Sequence, residues 1–172
     1  MPPGGVVWGM KVTAEHEGGG PEADAAAFDR FYRSTYAAAV RLAHLLTGDR
    51  WGAEDIVQEA YTSLHRRFDT LDNADAYLRV CVVNASRSFH RRRGREQKRL
   101  LRVVSPEAVD PEFRELLDAV DRLPYRQKAV VVLRYYEDLS EAEIADAVGC
   151  RPGTVKSLAS RALARLGKEI TR

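Results

Sequence analysis

This chain is poor in the residues that most sharply mark chemistry: its 172 residues include two cysteines, two methionines, two tryptophans and four histidines. Cys81 and Cys150 are isolated and form no Cys-x-x-Cys pair. That argues against a zinc site or a redox pair, and both read as small packing residues in a reducing compartment. His16, His44, His65 and His90 are scattered, and none is paired at metal spacing. There is no phosphate-cradling loop and no nucleophile motif, and Glu54 and Asp55 are sequence neighbours that cannot converge as an acid/base pair. Catalysis, a metal and a cofactor are therefore not expected. No run approaches the ~18 apolar residues of a membrane span. The N-terminus lacks the basic region and apolar core of a secretory signal. The expectation is a cytoplasmic protein without membrane insertion.

Net charge is also scarce, at +2 although 30% of residues are charged, so binding an acidic polymer would require local concentration of charge. Residues 87–102 (RSFHRRRGREQKRLLR) supply it, with eight Lys/Arg against a single Glu, whereas residues 107–121 hold six Asp/Glu against a single Arg. A basic stripe followed by an acidic patch suggests one surface for nucleic acid and another kept away from it.

Periodicity makes the chain all-helical, and its length suits two small domains. Residues 1–24 are Gly/Pro-rich and aperiodic, which predicts a disordered tail. Helices are expected at about 25–46, 50–68 and 76–100, with Asp49 as a cap and the polar loop DTLDNAD at 69–75. Residues 103–111 contain two prolines and read as a linker between an N-terminal domain (25–102) and a C-terminal domain (112–172). In the latter, helices are expected at about 112–121 and 125–136, followed by a helix-turn-helix. The VVVL run at 130–133 is β-prone in isolation but sits in a segment of helical length.

The helix-turn-helix is the most informative feature. Ala145, Gly149 and Val155 stand in the spacing A-x3-G-x5-V. A small residue is needed where the second helix crosses, a glycine suits a turn with φ > 0, and Val155 with Ile144 pegs the crossing. Ser140 and Glu143 spell a capping box at the start of the first helix. On the second helix, Val155, Leu158, Ala159, Ala162, Leu163, Leu166 and Ile170 share one half of the cylinder. Thr154, Lys156, Ser157, Ser160, Arg161, Ala164, Arg165 and Lys168 share the other, a short basic face that fits a major groove.

Two further stripes are not explained by packing. Asp55, Gln58, Glu59 and Thr62 fall within about 100° of one another on the second helix. The residues alone are compatible with a solvated face or with a partner helix bearing basic or hydrogen-bonding groups. Asn84, Arg87, Ser88 and Arg91 share one face of the third helix, where a mid-helix Asn has poor intrinsic propensity. That Asn is either satisfied locally or reads the edge of an unstacked base while the arginines hold phosphates.

The arrangement resembles the extracytoplasmic-function group of bacterial RNA polymerase sigma factors, in the sigma-70 family. AEDIVQEAYTSLHRRF (53–68) resembles the family's polymerase-binding helix, AYLRVCVVNASRSFHRRR (76–93) the helix that reads the −10 element, and LPYRQKAVVVLRYYEDLSEAEIADAVGCRPGTVKS (123–157) its fourth conserved region. The match spans roughly residues 26–168. It implies that Asp55, Gln58, Glu59 and Thr62 contact core RNA polymerase. Asn84, Arg87, Ser88 and Arg91, with the 69–75 loop, would hold a flipped base of the −10 non-template strand. Arg151, Thr154, Lys156, Ser157, Ser160 and Arg161 would dock double-stranded −35 DNA. Members often pair with an anti-sigma factor, which the resemblance adds as a partner to be tested. Leu158 stands where many members carry Arg, and Tyr77 where Trp is frequent. A homodimeric repressor or response-regulator output domain would share the helix-turn-helix, but it leaves residues 53–68 and the basic third helix unexplained.

Overall fold

A computed structural model describes residues 21–96 and 111–170, and these described residues form seven α-helices; most of the expected tail, the end of the expected third helix (97–100) and residues 103–110 of the expected linker lie outside them. In order they are α1 (Pro21–Thr47), α2 (Arg50–His65), α3 (Ala74–Glu96), α4 (Pro111–Asp121), α5 (Tyr125–Tyr135), α6 (Glu141–Val148) and α7 (Pro152–Ile170). Among the described residues there is no β-strand. Residues 21–24, expected in the tail, form the first turn of α1.

Local chemistry sets the helix ends. Gly48 adopts φ 67°, and its N–H bonds to the His44 carbonyl at 2.7 Å, closing α1. The Asp49 carboxylate then accepts from the Gly52 N–H at 3.0 Å and caps α2. After His65 the chain makes a short 3-10 turn at Phe68–Thr70 instead of the helix expected to 68. Asn73 accepts from the Ala76 N–H at 2.9 Å, so α3 starts two residues earlier than expected.

Helices α1, α2 and α3 pack through Leu42, Ala43 and Leu46, Ile56, Val57, Ala60 and Leu64, and Leu78, Val82 and Val83, all buried. At one end, an aromatic cluster packs Phe28 edge-to-face with His65 and Phe68, ring centroids 4.6 and 5.2 Å away. Helix α5 keeps its valine run helical because every residue from Gln127 to Leu133 is buried. A helix surrounded by partners has no face on which strand alternation would gain burial, so tertiary packing overrides propensity. Lys128 is 1% exposed on that helix, and its ammonium lies 2.8 Å from the Asp121 carboxylate. Buried side chains of both helical groups form one continuous apolar cluster running from Ala39 to Ala159. Cys81 and Cys150 are free thiols, half-buried, and burial pushes the Cys81 thiol up to about 11.

Candidate nucleic-acid interface

The helix-turn-helix forms as its sequence dictates. The Ser140 N–H donates to the Glu143 carboxylate at 2.9 Å and the Glu143 N–H to the Ser140 hydroxyl at 3.4 Å, giving the reciprocal capping box. Hydrogen bonds from the Ser140 side chain and then its backbone hold the Glu143 carboxyl below its ordinary value. Gly149 ends α6 in the left-handed region at φ 68°, and the Cys150 N–H returns to the Ala145 carbonyl at 2.9 Å. Ile144 and Val155 are both 0% exposed, with Ala145 and Ala159 buried beside them. The two helices are thereby locked at their crossing.

Lys156, Ser157, Ser160 and Arg161 line the exposed side of α7, Arg151 is exposed just before it, and Thr154 is half-buried. Pro152 opens the helix at a position where its missing N–H costs nothing. The Ser157 hydroxyl donates to the Gly153 carbonyl at 3.1 Å, which leaves its oxygen lone pairs outward as acceptors. Lys156 is not isolated: its ammonium lies 3.5 Å from Glu141, whose other carboxylate oxygen is 3.6 Å from Arg134. Neither Glu141 nor Arg134 was marked by sequence, because both lie on other helices. Leu163, expected on the packing side, is 46% exposed. The neighbouring Ala162 and Leu166 are buried with Ala119 and Leu123 of the α4 side and Val131 of α5, so the covered stripe of α7 is narrower than half the cylinder and Leu163 lies beyond its edge. The side chain of Ile170 lies outside the described residues.

On α3 the four expected residues do share a face. Asn84 and Arg91 are exposed, while Arg87 and Ser88 are half-buried. They are paired along the helix, Arg87 donating to the Asn84 amide oxygen at 2.8 Å and Arg91 to the Ser88 hydroxyl at 3.3 Å. The inner nitrogen of Arg87, Nε, is buried without a hydrogen-bond partner. Arg92 is exposed beside them, and the side chains of Arg93 and Arg95 lie outside the described residues. The adjoining loop is more ordered than its composition suggests, since it contains the 3-10 turn and the Asn73 cap.

The α2 stripe is solvent-facing throughout: Asp55, Gln58, Glu59 and Thr62 are all exposed, beside buried Ile56 and Val57. The Thr62 hydroxyl donates to the Gln58 carbonyl at 2.8 Å, a bond within α2.

Comparison with known proteins covers both halves of the described chain. The family model described as Sigma-70 region 2 matches residues 31–96, and that described as Sigma-70, region 4 matches residues 113–166. The RNA polymerase sigma-E factor of Streptomyces coelicolor is 35% identical over 151 residues, covering 83% of this chain and 85% of that protein. The ECF RNA polymerase sigma factor SigM of Mycobacterium tuberculosis is 34% identical over 167 residues, covering 92% and 82%. Among solved structures, the sigma factor RpoE of Bartonella quintana, in complex with the anti-sigma factor NepR, shares the fold with a TM-score of 0.72 at 24% identity, over 84% of this chain and 97% of that one. The Streptomyces coelicolor relative, 35% identical over most of both chains, defines the class. The chain belongs to the extracytoplasmic-function group of the sigma-70 family of RNA polymerase sigma factors. Its function is promoter-specific transcription initiation with RNA polymerase, and it is not an enzyme. Among the described residues no helix is long and apolar enough to cross a membrane.

Proposed function

We propose that three helices divide the work of initiation. In this reading Asp55, Gln58, Glu59 and Thr62 of α2 bind core polymerase. Asn84, Arg87, Ser88 and Arg91 of α3, with the 69–75 loop, hold an unstacked base of the −10 non-template strand. Arg151, Thr154, Lys156, Ser157, Ser160 and Arg161 dock the −35 element as a duplex. The N-terminal domain, 25–102, carries the first two tasks and the C-terminal domain, 112–172, the third, with the 103–111 linker between them. The protein acts in the cytoplasm, and an anti-sigma protein is proposed as a further partner.

The observation that carries this reading is the separation of three polar faces on three helices, each adjoining a buried apolar face of the same helix. Packing accounts for the apolar sides and leaves the polar sides for partners. The direct test adds purified protein to cognate core polymerase and sequences the start sites created. New start sites sharing −10 and −35 elements are expected, and their absence removes the reading. Within that assay, Asn84→Ala should lower promoter opening and relax preference at one base by about 1–3 kcal/mol, while core binding stays intact. Unchanged opening and preference would make Asn84 structural.

A further inference from the structure

Trp51 is the most exposed large apolar side chain among the described residues, at 81% accessibility. It lies on the first turn of α2, one turn before Asp55. At about 100° per residue its direction falls between that of Gln58 and those of Thr62 and Asp55, inside the stripe proposed to meet the polymerase. The indole therefore extends that polar face by one turn.

Its backbone is firmly placed even though its side chain faces solvent. Asp49 caps the helix through the Gly52 N–H at 3.0 Å. Gly52 and Ala53 are buried, and a Cβ on Gly52 would come within 2.7 Å of the Phe89 ring, so this end of α2 is seated tightly on α3. A large, stiff side chain on a fixed helix end loses little conformational freedom on binding, and tryptophan is enriched among residues that dominate interfaces. The neighbouring Asp55 and Glu59 carboxylates add the electrostatic half of the description: the matching surface presents Arg or Lys groups around an apolar recess.

We infer that Trp51 is an anchor of the polymerase-binding face, seated in a basic, partly apolar recess of core RNA polymerase beyond the Asp55 end of the stripe. This rests on the reading of the stripe given above. Because Trp51 is exposed, its removal leaves the fold of the free protein unchanged.

The test compares full-length wild type, Trp51→Ala, Trp51→Phe and the double variant Gln58→Ala/Glu59→Arg in competition for core polymerase. Trp51→Ala should weaken binding by about tenfold or more, with Trp51→Phe recovering part of it. Trp8 is the other tryptophan, so a Trp8→Phe protein labelled with 5-hydroxytryptophan reports on position 51 alone, excited beyond polymerase absorption. Its emission should shift to the blue when core is added. Wild-type affinity for Trp51→Ala, with the double variant weakened, overturns the inference and leaves the stripe standing. Weakened binding without an emission shift also overturns it, since Trp51 then acts through the helix and not by contact. If neither variant loses affinity, the stripe itself is misassigned and the inference falls with it.

Discussion

The hydroxyl of Tyr125 donates to the backbone carbonyl of Val83 at 2.5 Å, joining the first residue of α5 to α3 one position before Asn84. The same ring lies 5.1 Å from that of His90, whose Nε2 is 2.7 Å from the Leu46 carbonyl. At the other end of α5, Arg41 of α1 donates to the Tyr136 hydroxyl at 3.0 Å. The two helical groups are thus joined by directed polar contacts as well as apolar ones.

Tyr125→Phe keeps the ring and removes only the bond, which should cost about 1–2 kcal/mol in urea unfolding. Burial pushes the Tyr125 phenol well above its ordinary value of 10.0, opposed by the Arg87 guanidinium. An acid with a raised folded-state value stabilises the fold below its unfolded value, and that contribution is lost as pH rises. Stability should therefore decline above about pH 10, and Tyr125→Phe should shallow the decline without abolishing it, because burial also raises Tyr61 and Tyr77. Equal alkaline slopes would show that Tyr125 is not the group being titrated.

Lys128 and Asp121 make the most deeply placed ion pair among the described residues, with side chains 1% and 18% exposed. Removing the carboxylate takes a charged partner away from a buried ammonium. Asp121→Asn should cost about 3–5 kcal/mol, whereas Lys128→Met, which removes the buried charge and leaves the more accessible one, should cost less. Thermal unfolding of the two variants ranks them, and the reverse order would mean that the lysine stem, not the charge, fills this part of the core.

Two glycines are needed for different reasons, and substitution separates them. Gly149 is in the left-handed region, yet nothing lies within 4 Å of a Cβ built there. Gly149→Ala should therefore cost about 1–2 kcal/mol of conformational strain that no second-site change relieves. Gly52 is helical, and its Cβ would meet the Phe89 ring at 2.7 Å. Gly52→Ala should destabilise by about 1–3 kcal/mol, with Phe89→Leu recovering part of the loss. Denaturant midpoints of the single and double variants check both, and failure of Phe89→Leu to compensate would mean that another neighbour resists the methyl.

What could be read beforehand was set by residues close together in sequence. The Ser140/Glu143 box, the Gly149 turn and the Asp49 cap each need only four or five residues, so their chemistry is visible without a fold. The Ala145, Val155 and Ile144 pegs were also legible, because a fixed helix-turn-helix spacing carries its own geometry. Lys128 was not: a lysine in YRQKAVVVLRYY looks solvated until α4 brings Asp121 beside it. Gly52 gave no signal because the pressure on it comes from Phe89, across two helices. Leu163 is exposed because half of a helical wheel is wider than the stripe of α7 that its neighbours cover through Ala162 and Leu166. For the three proposed interfaces, sequence located the faces but not the pairing of Arg87 with Asn84 or of Lys156 with Glu141.

That last pair decides how the proposed −35 face should respond to mutation. Lys156 lies 3.5 Å from Glu141 and carries a flexible point charge, whereas Arg161, on the same exposed side of α7, offers the planar fork that matches guanine. Lys156→Ala should weaken binding to all −35 sequences alike and lower the salt slope by about one unit. Arg161→Ala should instead change preference at one position by about 1–3 kcal/mol. Glu141→Gln removes a negative charge beside the proposed DNA-binding face and releases Lys156 from that pair, so affinity should rise for every sequence, most at low salt. Binding to a library of −35 duplexes at two salt concentrations separates these outcomes. Uniform loss from both basic variants would mean that neither side chain reads bases, leaving readout to Ser157, Ser160 or DNA shape. If neither variant loses affinity and Glu141→Gln gains none, a different face of α7 enters the groove.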